Sequence, residues 1–150
     1  KYFFTGSIVL ILTRLIFVNK LNQWKKVRVI NVAFLFAIAA LILGFSMNIL
    51  LSSFVLILMG IFYGSAHGLL YPTLNAYFVE ITPKRSGKAT LVFLLLFSSG
   101  NTLASFLYGI IADHYGYPTI YFISASVILV SLIIFQRKSI YKKMKILLKF

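Results

Sequence analysis

Five long apolar stretches, at about 2–18, 29–47, 53–79, 89–112 and 119–136, leave this chain few ways to fold. About 20 mainly apolar residues in a helix cross about 30 Å of hydrocarbon. The first stretch is the shortest of the five. The third is long enough to tilt, or to bend at Pro72. A water-soluble fold of 150 residues, 61% apolar and 11% charged, has too little interior to hide such runs. Lipid offers no partners for an open backbone, so spans of this length are helical. The expected fold is all-α: a polytopic membrane protein with five transmembrane helices in a single domain over 1–150.

The connections between the stretches alternate in charge. Residues 19–28 hold Lys20, Lys25, Lys26 and Arg28, and residues 80–88 hold Lys84, Arg85 and Lys88. The tail 137–150 adds six more cations from Arg137 to Lys149. The turns near Asn48–Ser52 and Asp113–Pro118 hold no lysine or arginine. Five crossings produce this alternation, and the positive-inside rule puts the basic loops and the tail in the cytoplasm, with the plasma membrane as the expected location. Trp24, Tyr115, Tyr117 and Tyr121 stand at the expected boundaries, where amphipathic rings settle. A net charge of +13 on a soluble domain would suggest nucleic acid. Here it sits in loops and reflects the presence of two acids, Glu80 and Asp113, so no nucleic-acid partner is expected and the bilayer is. In the tail, Ile140, Met144, Leu147 and Leu148 recur opposite Lys138, Lys142, Lys145 and Lys149. That suits either a helix on an anionic leaflet or a disordered basic end.

Polar residues separate the helices by character. The second and fifth stretches carry only weakly polar exceptions such as Asn31 and Ser124, and read as peripheral and lipid-facing. The third and fourth carry Tyr63, His67, Tyr71, Asn75, Ser98, Ser99, Asn101 and Thr102, which are costly in hydrocarbon and belong on a protein interior or a wet cavity. Tyr63, His67, Tyr71 and Asn75 follow at intervals of four, nearly on one helix face, with His67 close to the bilayer midplane. An ionisable group at that depth is a candidate for solute contact or proton transfer; a neutral histidine bonded to a neighbouring helix is the plainer account. Asn101 either meets the same cavity or bonds across helices. Gly60, Gly64, Gly68 and Pro72 form a second stripe, read as a close-packing surface or as a hinge. Phe93, Phe97 and Tyr108 read as packing groups. Arg14 is expected near the inner boundary with its head among the lipid headgroups.

Signs of catalysis are absent. The sequence has no paired carboxylates, no phosphate loop, no cysteine, and no histidine pair at metal-ligand spacing. No catalytic residue, metal or cofactor is expected, and the chain is not read as an enzyme.

The run from Gly60 to Ala89 resembles the major facilitator superfamily. It contains a glycine-rich helix, Pro72, the acid Glu80, and a loop, Pro83-x-x-Arg85-x-Gly87-x-Ala89, of the family's Pro-x-x-Arg-x-Gly-x-Ala form. Gly109-Ile-Ile-Ala-Asp113-His-Tyr-Gly116-Tyr117 followed by Phe122 is similar to the family's next helix end and outer turn. The loop Asn22-Gln-Trp-Lys25-Lys26 sits where the family has its basic motif, with Asn22 in the acid's slot and Lys25 in the glycine's. That departure favours the second half of the family fold, helices eight to twelve of twelve. Helices two to six are the rival assignment, because the halves are parallel repeats.

The resemblance implies part of a secondary transporter, a permease or efflux protein that moves a small solute by alternating access, with a proton as a candidate co-substrate. It implies a fragment that needs the N-terminal half of the same protein. Tyr63, His67, Tyr71, Asn75 and Asn101 would form one wall of the pathway. Asn22, Lys25, Lys26, Glu80, Arg85 and Gly87 would belong to cytoplasmic gate loops. A non-transporting membrane scaffold or signalling subunit is the alternative class.

Overall fold

The computed structural model describes residues 2–21, 24–47, 52–82 and 86–147, with side chains described outside 18–21 and 138–147. Within them the chain forms five helices: α1 (Tyr2–Leu21), α2 (Lys26–Ser46), α3 (Ser53–Ile81), α4 (Ser86–Tyr115) and α5 (Tyr117–Leu147). Four runs are long and apolar enough to cross a membrane, Lys26–Ser46, Ser53–Ile81, Ser86–Tyr115 and Tyr117–Arg137; the apolar part of α1, Tyr2–Phe17, is shorter. The protein is thus an all-α polytopic membrane protein. Each helix outlasts the apolar run that announces it, because its backbone ladder continues into polar sequence. The extreme case is α5, whose backbone stays helical to Leu147, well into the lysine-rich tail.

Local chemistry sets the ends. Ser52 caps α3 by accepting a hydrogen bond from the Phe54 amide at 3.2 Å. Gly116 alone separates α4 from α5; its φ of 78° lies in the left-handed region, and its amide donates to the Ala112 carbonyl at 3.0 Å. Pro118 follows in the first turn of α5, where a missing N–H costs nothing.

Successive helices run antiparallel, so α1 and α3 are parallel. At α1 the contact is made through backbone. A Cβ built on Gly60 would lie 2.9 Å from the Tyr2 carbonyl oxygen, one on Gly64 would collide with the Gly6 carbonyl, and one on Gly68 would lie 3.2 Å from Thr13 Cβ. Three helices meet at Gly44 of α2, where an added Cβ would fall 2.7 Å from the Tyr121 ring of α5 and 3.1 Å from Met59 of α3. Val29, Ala33 and Leu69 form the core between α2 and α3, flanked by Phe17, Phe36 and Leu70. Phe135 of α5 reaches both Phe34 and Tyr77.

This arrangement modifies the polarity-based expectation. Among the described residues α2 is packed on two sides, by α3 and α5, and Val32, Leu35, Ile42 and Phe45 make up its exposed apolar face. By contrast, α4 is the more open helix. Its polar groups do not bury it, because the Thr102 and Ser105 hydroxyls donate to the Ser98 and Asn101 carbonyls one turn back. Tyr121 is more than a boundary ring, since it fills the notch left by Gly44.

Gly64→Leu is expected to destabilise the bundle by about 1–3 kcal/mol, the usual scale of overpacking. Gly100→Ala, at a mid-helix site with nothing within 4 Å, is expected to leave stability unchanged or raise it by up to about 1 kcal/mol. Thermal unfolding in detergent distinguishes them; equal melting temperatures for the two variants would refute the backbone contact.

Candidate functional site

The face of α3 turned toward α4 carries a column of rings. Tyr2 of α1 lies 5.9 Å from Tyr63, centroid to centroid; Tyr63 lies 6.0 Å from His67, and His67 lies 6.3 Å from Tyr71 with planes only 10° apart. Phe93 and Phe97 of α4 close the column edge-on to Tyr71, at 5.3 and 5.0 Å, and Phe97 also meets His67 at 6.2 Å. Phe93 continues the series to Phe78 at 5.7 Å. A cavity of about 50 Å³ lies among His67, Leu70, Tyr71, Leu74, Phe93 and Phe97. Arg14 completes the setting, its guanidinium carbon 5.9 Å from the Tyr71 ring centre.

Helix geometry explains which expected residues share this face. A step of four residues overshoots a full turn by about 40°, so three steps rotate the stripe by about 120°. Tyr63, His67 and Tyr71 stay together, whereas Asn75 has turned off the column and Leu70 and Leu74 take the lining positions. The glycine stripe drifts in the same way: Gly60, Gly64 and Gly68 touch α1, and one turn on Pro72 sits inside an unbroken α3. His67 Nδ1, Asn75 Oδ1, Thr73 Oγ1 and, on α2, Asn31 Oδ1 are buried atoms without a hydrogen-bond partner among the described residues. A buried polar atom is normally paired, so His67 and Asn75 each have capacity to spare for a ligand.

On α4, Ala89 and Phe93 are buried against α3, while Leu95, Leu96, Leu103 and Phe106 are exposed. Asn101 lies one turn beyond Phe97 on the same side of α4 and is exposed, its carbonyl accepting from Ser105. Nearer its far end α4 is tied to α5 by the Ser124 hydroxyl, which donates to Tyr108 Oη at 2.8 Å.

The loop residues gather at one end of the bundle, where α1, α3 and α5 finish and α2 and α4 begin. Lys26 Nζ pairs with Glu80 Oε2 at 2.8 Å and joins α2 to α3 there. Lys25, with Trp24, Arg28, Val29, Val32 and Leu69, lines a cavity of about 570 Å³ at that end. Gly87, in the first turn of α4, has open space around it. Asn22 and Arg85 lie outside the described residues.

Sequence reasoning passed over Gly6 and Gly44 as packing sites and assigned Arg14 to the headgroups. The available signal for Arg14 was a lone charge within an apolar stretch; its aim toward α3 emerges only when Thr13, its neighbour, is seated on Gly68.

Helices of this length and apolarity, packed by small residues and ringed by exposed apolar faces, define a helical membrane protein, and its third helix carries a partly exposed polar-and-aromatic column. The Major Facilitator Superfamily model matches residues 3–144, nearly the whole chain, and the chain belongs to that family of membrane transporters of small solutes. No curated protein and no solved structure matches it significantly.

Because Glu80 is mostly exposed, its pair with Lys26 is screened. Glu80→Gln is expected to cost no more than about 1 kcal/mol of stability. A chemical-denaturation midpoint in mild detergent reads this; a larger loss would mean that the pair anchors the fold.

Proposed function

We propose that this chain forms part of a secondary transporter that moves a small solute by alternating access, with the ring column of α3 as one wall of the pathway. The observation that carries the reading is His67. It sits midway along a long apolar helix with Nδ1 unpartnered, between two tyrosines, on the face where α4 gives only partial cover. Polar groups at such depth mark solute and proton routes in membrane proteins. Tyr63, His67 and Tyr71 contact the solute; Asn75 and Asn101 contribute from the margins, and His67 is the one imidazole on this wall able to carry a coupled proton.

The connections 19–28 and 80–88 act as gates on the cytoplasmic side, which the basic end faces by the positive-inside rule. The Lys26–Glu80 pair supports this role: it ties the end of the first segment to the start of the second and, being partly exposed, breaks and re-forms at little cost. The site end and the gate end are joined by α3, which carries both the ring column and Glu80.

In the intact protein, His67→Ala and Asn101→Ala are expected to lower solute flux about tenfold, the scale of one lost polar contact. Unchanged uptake or efflux in both variants would remove these residues from the pathway. Arg85→Glu is expected to slow transport several-fold while the protein still inserts in the membrane, as read by flux and by membrane fractionation; normal flux would discard the gate.

A further inference from the structure

We propose that Arg14 holds the anionic group of the transported solute, which makes the substrate class an organic anion with a flat apolar body; this rests on the pathway reading above. The chain contains two carboxylate side chains. Glu80 is engaged with Lys26, and Asp113 lies in the last turn of α4, at the opposite end from Glu80. Neither faces Arg14. A guanidinium within an apolar helix is costly unless something negative completes it. The face of Tyr71, 5.9 Å away, offers a cation–π contact that leaves its fork of N–H donors free.

The placement is fixed by packing. Thr13 is buried against Gly68 in the seam between α1 and α3, so the exposed Arg14 projects from a turn of α1 that is held against α3. The ring it covers belongs to a residue ten positions before the end of α3 at Ile81, about 15 Å along the axis. Its fork matches carboxylate, phosphate or sulfonate oxygens two at a time. Beside it, His67, Tyr71 and Phe97 present ring faces and edges suited to a planar apolar body. A lipid headgroup phosphate offers the same oxygen chemistry, so the test separates the two sources.

The 150 residues contain no cysteine, which makes a single introduced thiol readable. His67→Cys is placed in the intact protein, with any cysteines elsewhere replaced. It is then labelled with the anionic sulfonatoethyl and the cationic trimethylammonioethyl methanethiosulfonates, each rate being divided by that for free mercaptoethanol. Arg14 lies 5.9 Å from the ring of Tyr71, the next residue on the column; a unit charge at roughly that range in a water-like medium changes each rate about threefold, in opposite senses, and hence their ratio about tenfold. The expected result is an anion-to-cation ratio well above one that falls about tenfold in Arg14→Gln and is kept in Arg14→Lys. That fall should occur both in maltoside micelles and in phosphatidylglycerol vesicles.

If neither reagent reaches Cys at 67, the pathway itself is refuted. If both react without charge preference, or the preference survives Arg14→Gln, the anion site is refuted and the pathway stands. A fall in micelles but none in vesicles assigns the guanidinium to lipid phosphate and overturns the solute reading. Should Arg14→Gln misfold, as judged by gel filtration, Arg14→Met supplies the neutral background, and a preference that survives there refutes the anion site.

Discussion

Everything else in this bundle depends on how closely α1 approaches α3. In lipid no hydrophobic force drives two apolar helices together, so their association rests on dispersion and on fit. Gly60, Gly64 and Gly68 remove the side chains that would hold the axes apart, and from α1 the backbone of Gly6 meets Gly60 and Gly64. The result is contact between carbonyl oxygens and α-carbons, with Thr13 sealing the last step. Gly44 repeats the device for α2 and α5, admitting the Tyr121 ring. With these seams in place α3 becomes the central helix, and the column Tyr63–His67–Tyr71 falls on the side that small residues do not occupy.

The second governing constraint is polar accounting in a medium without water. Several hydroxyls of α4 and α5 close onto their own backbones: Thr102 to Ser98, Ser105 to Asn101, Ser126 to Phe122 and Ser131 to Val127. Such groups are compatible with lipid and indicate little about the interior. The exceptions carry the information. His67, Thr73 and Asn75 on α3 and Asn31 on α2 keep buried atoms unpartnered, and three of the four belong to the helix that also bears the ring column.

Much of this was legible from sequence, for identifiable reasons. Span positions follow from hydropathy over some twenty residues, a signal strong enough that all five apolar stretches correspond to helices. The glycine stripe was legible as a packing surface because its spacing has few other uses. What it packed against was not, since Gly6 is a single small residue in an apolar run and gives no periodic signal. The site was legible in part. Tyr63, His67 and Tyr71 do share a face, but the same arithmetic extended to Asn75 ignores helical drift. Burial of α2 escaped the polarity argument because Ala33, Ala40 and Gly44 are small rather than polar, and smallness matters only once a partner is present. The approach of Arg14 to Tyr71 was not legible, because the direction of a long side chain depends on how its neighbours pack.

The two sides of α3 differ in mechanical character. Toward α1 the closest contacts, at Gly60 and Gly64, are to backbone, which has no rotamers with which to yield, so that seam resists small displacements. Toward α4 the contacts are flat rings at tilted and edge-on angles, whose attraction varies gently with orientation. A single helix thus presents a rigid flank and a compliant one. The rigid flank favours moving α1 and α3 together, with any adjustment taken up where α4 meets the rings.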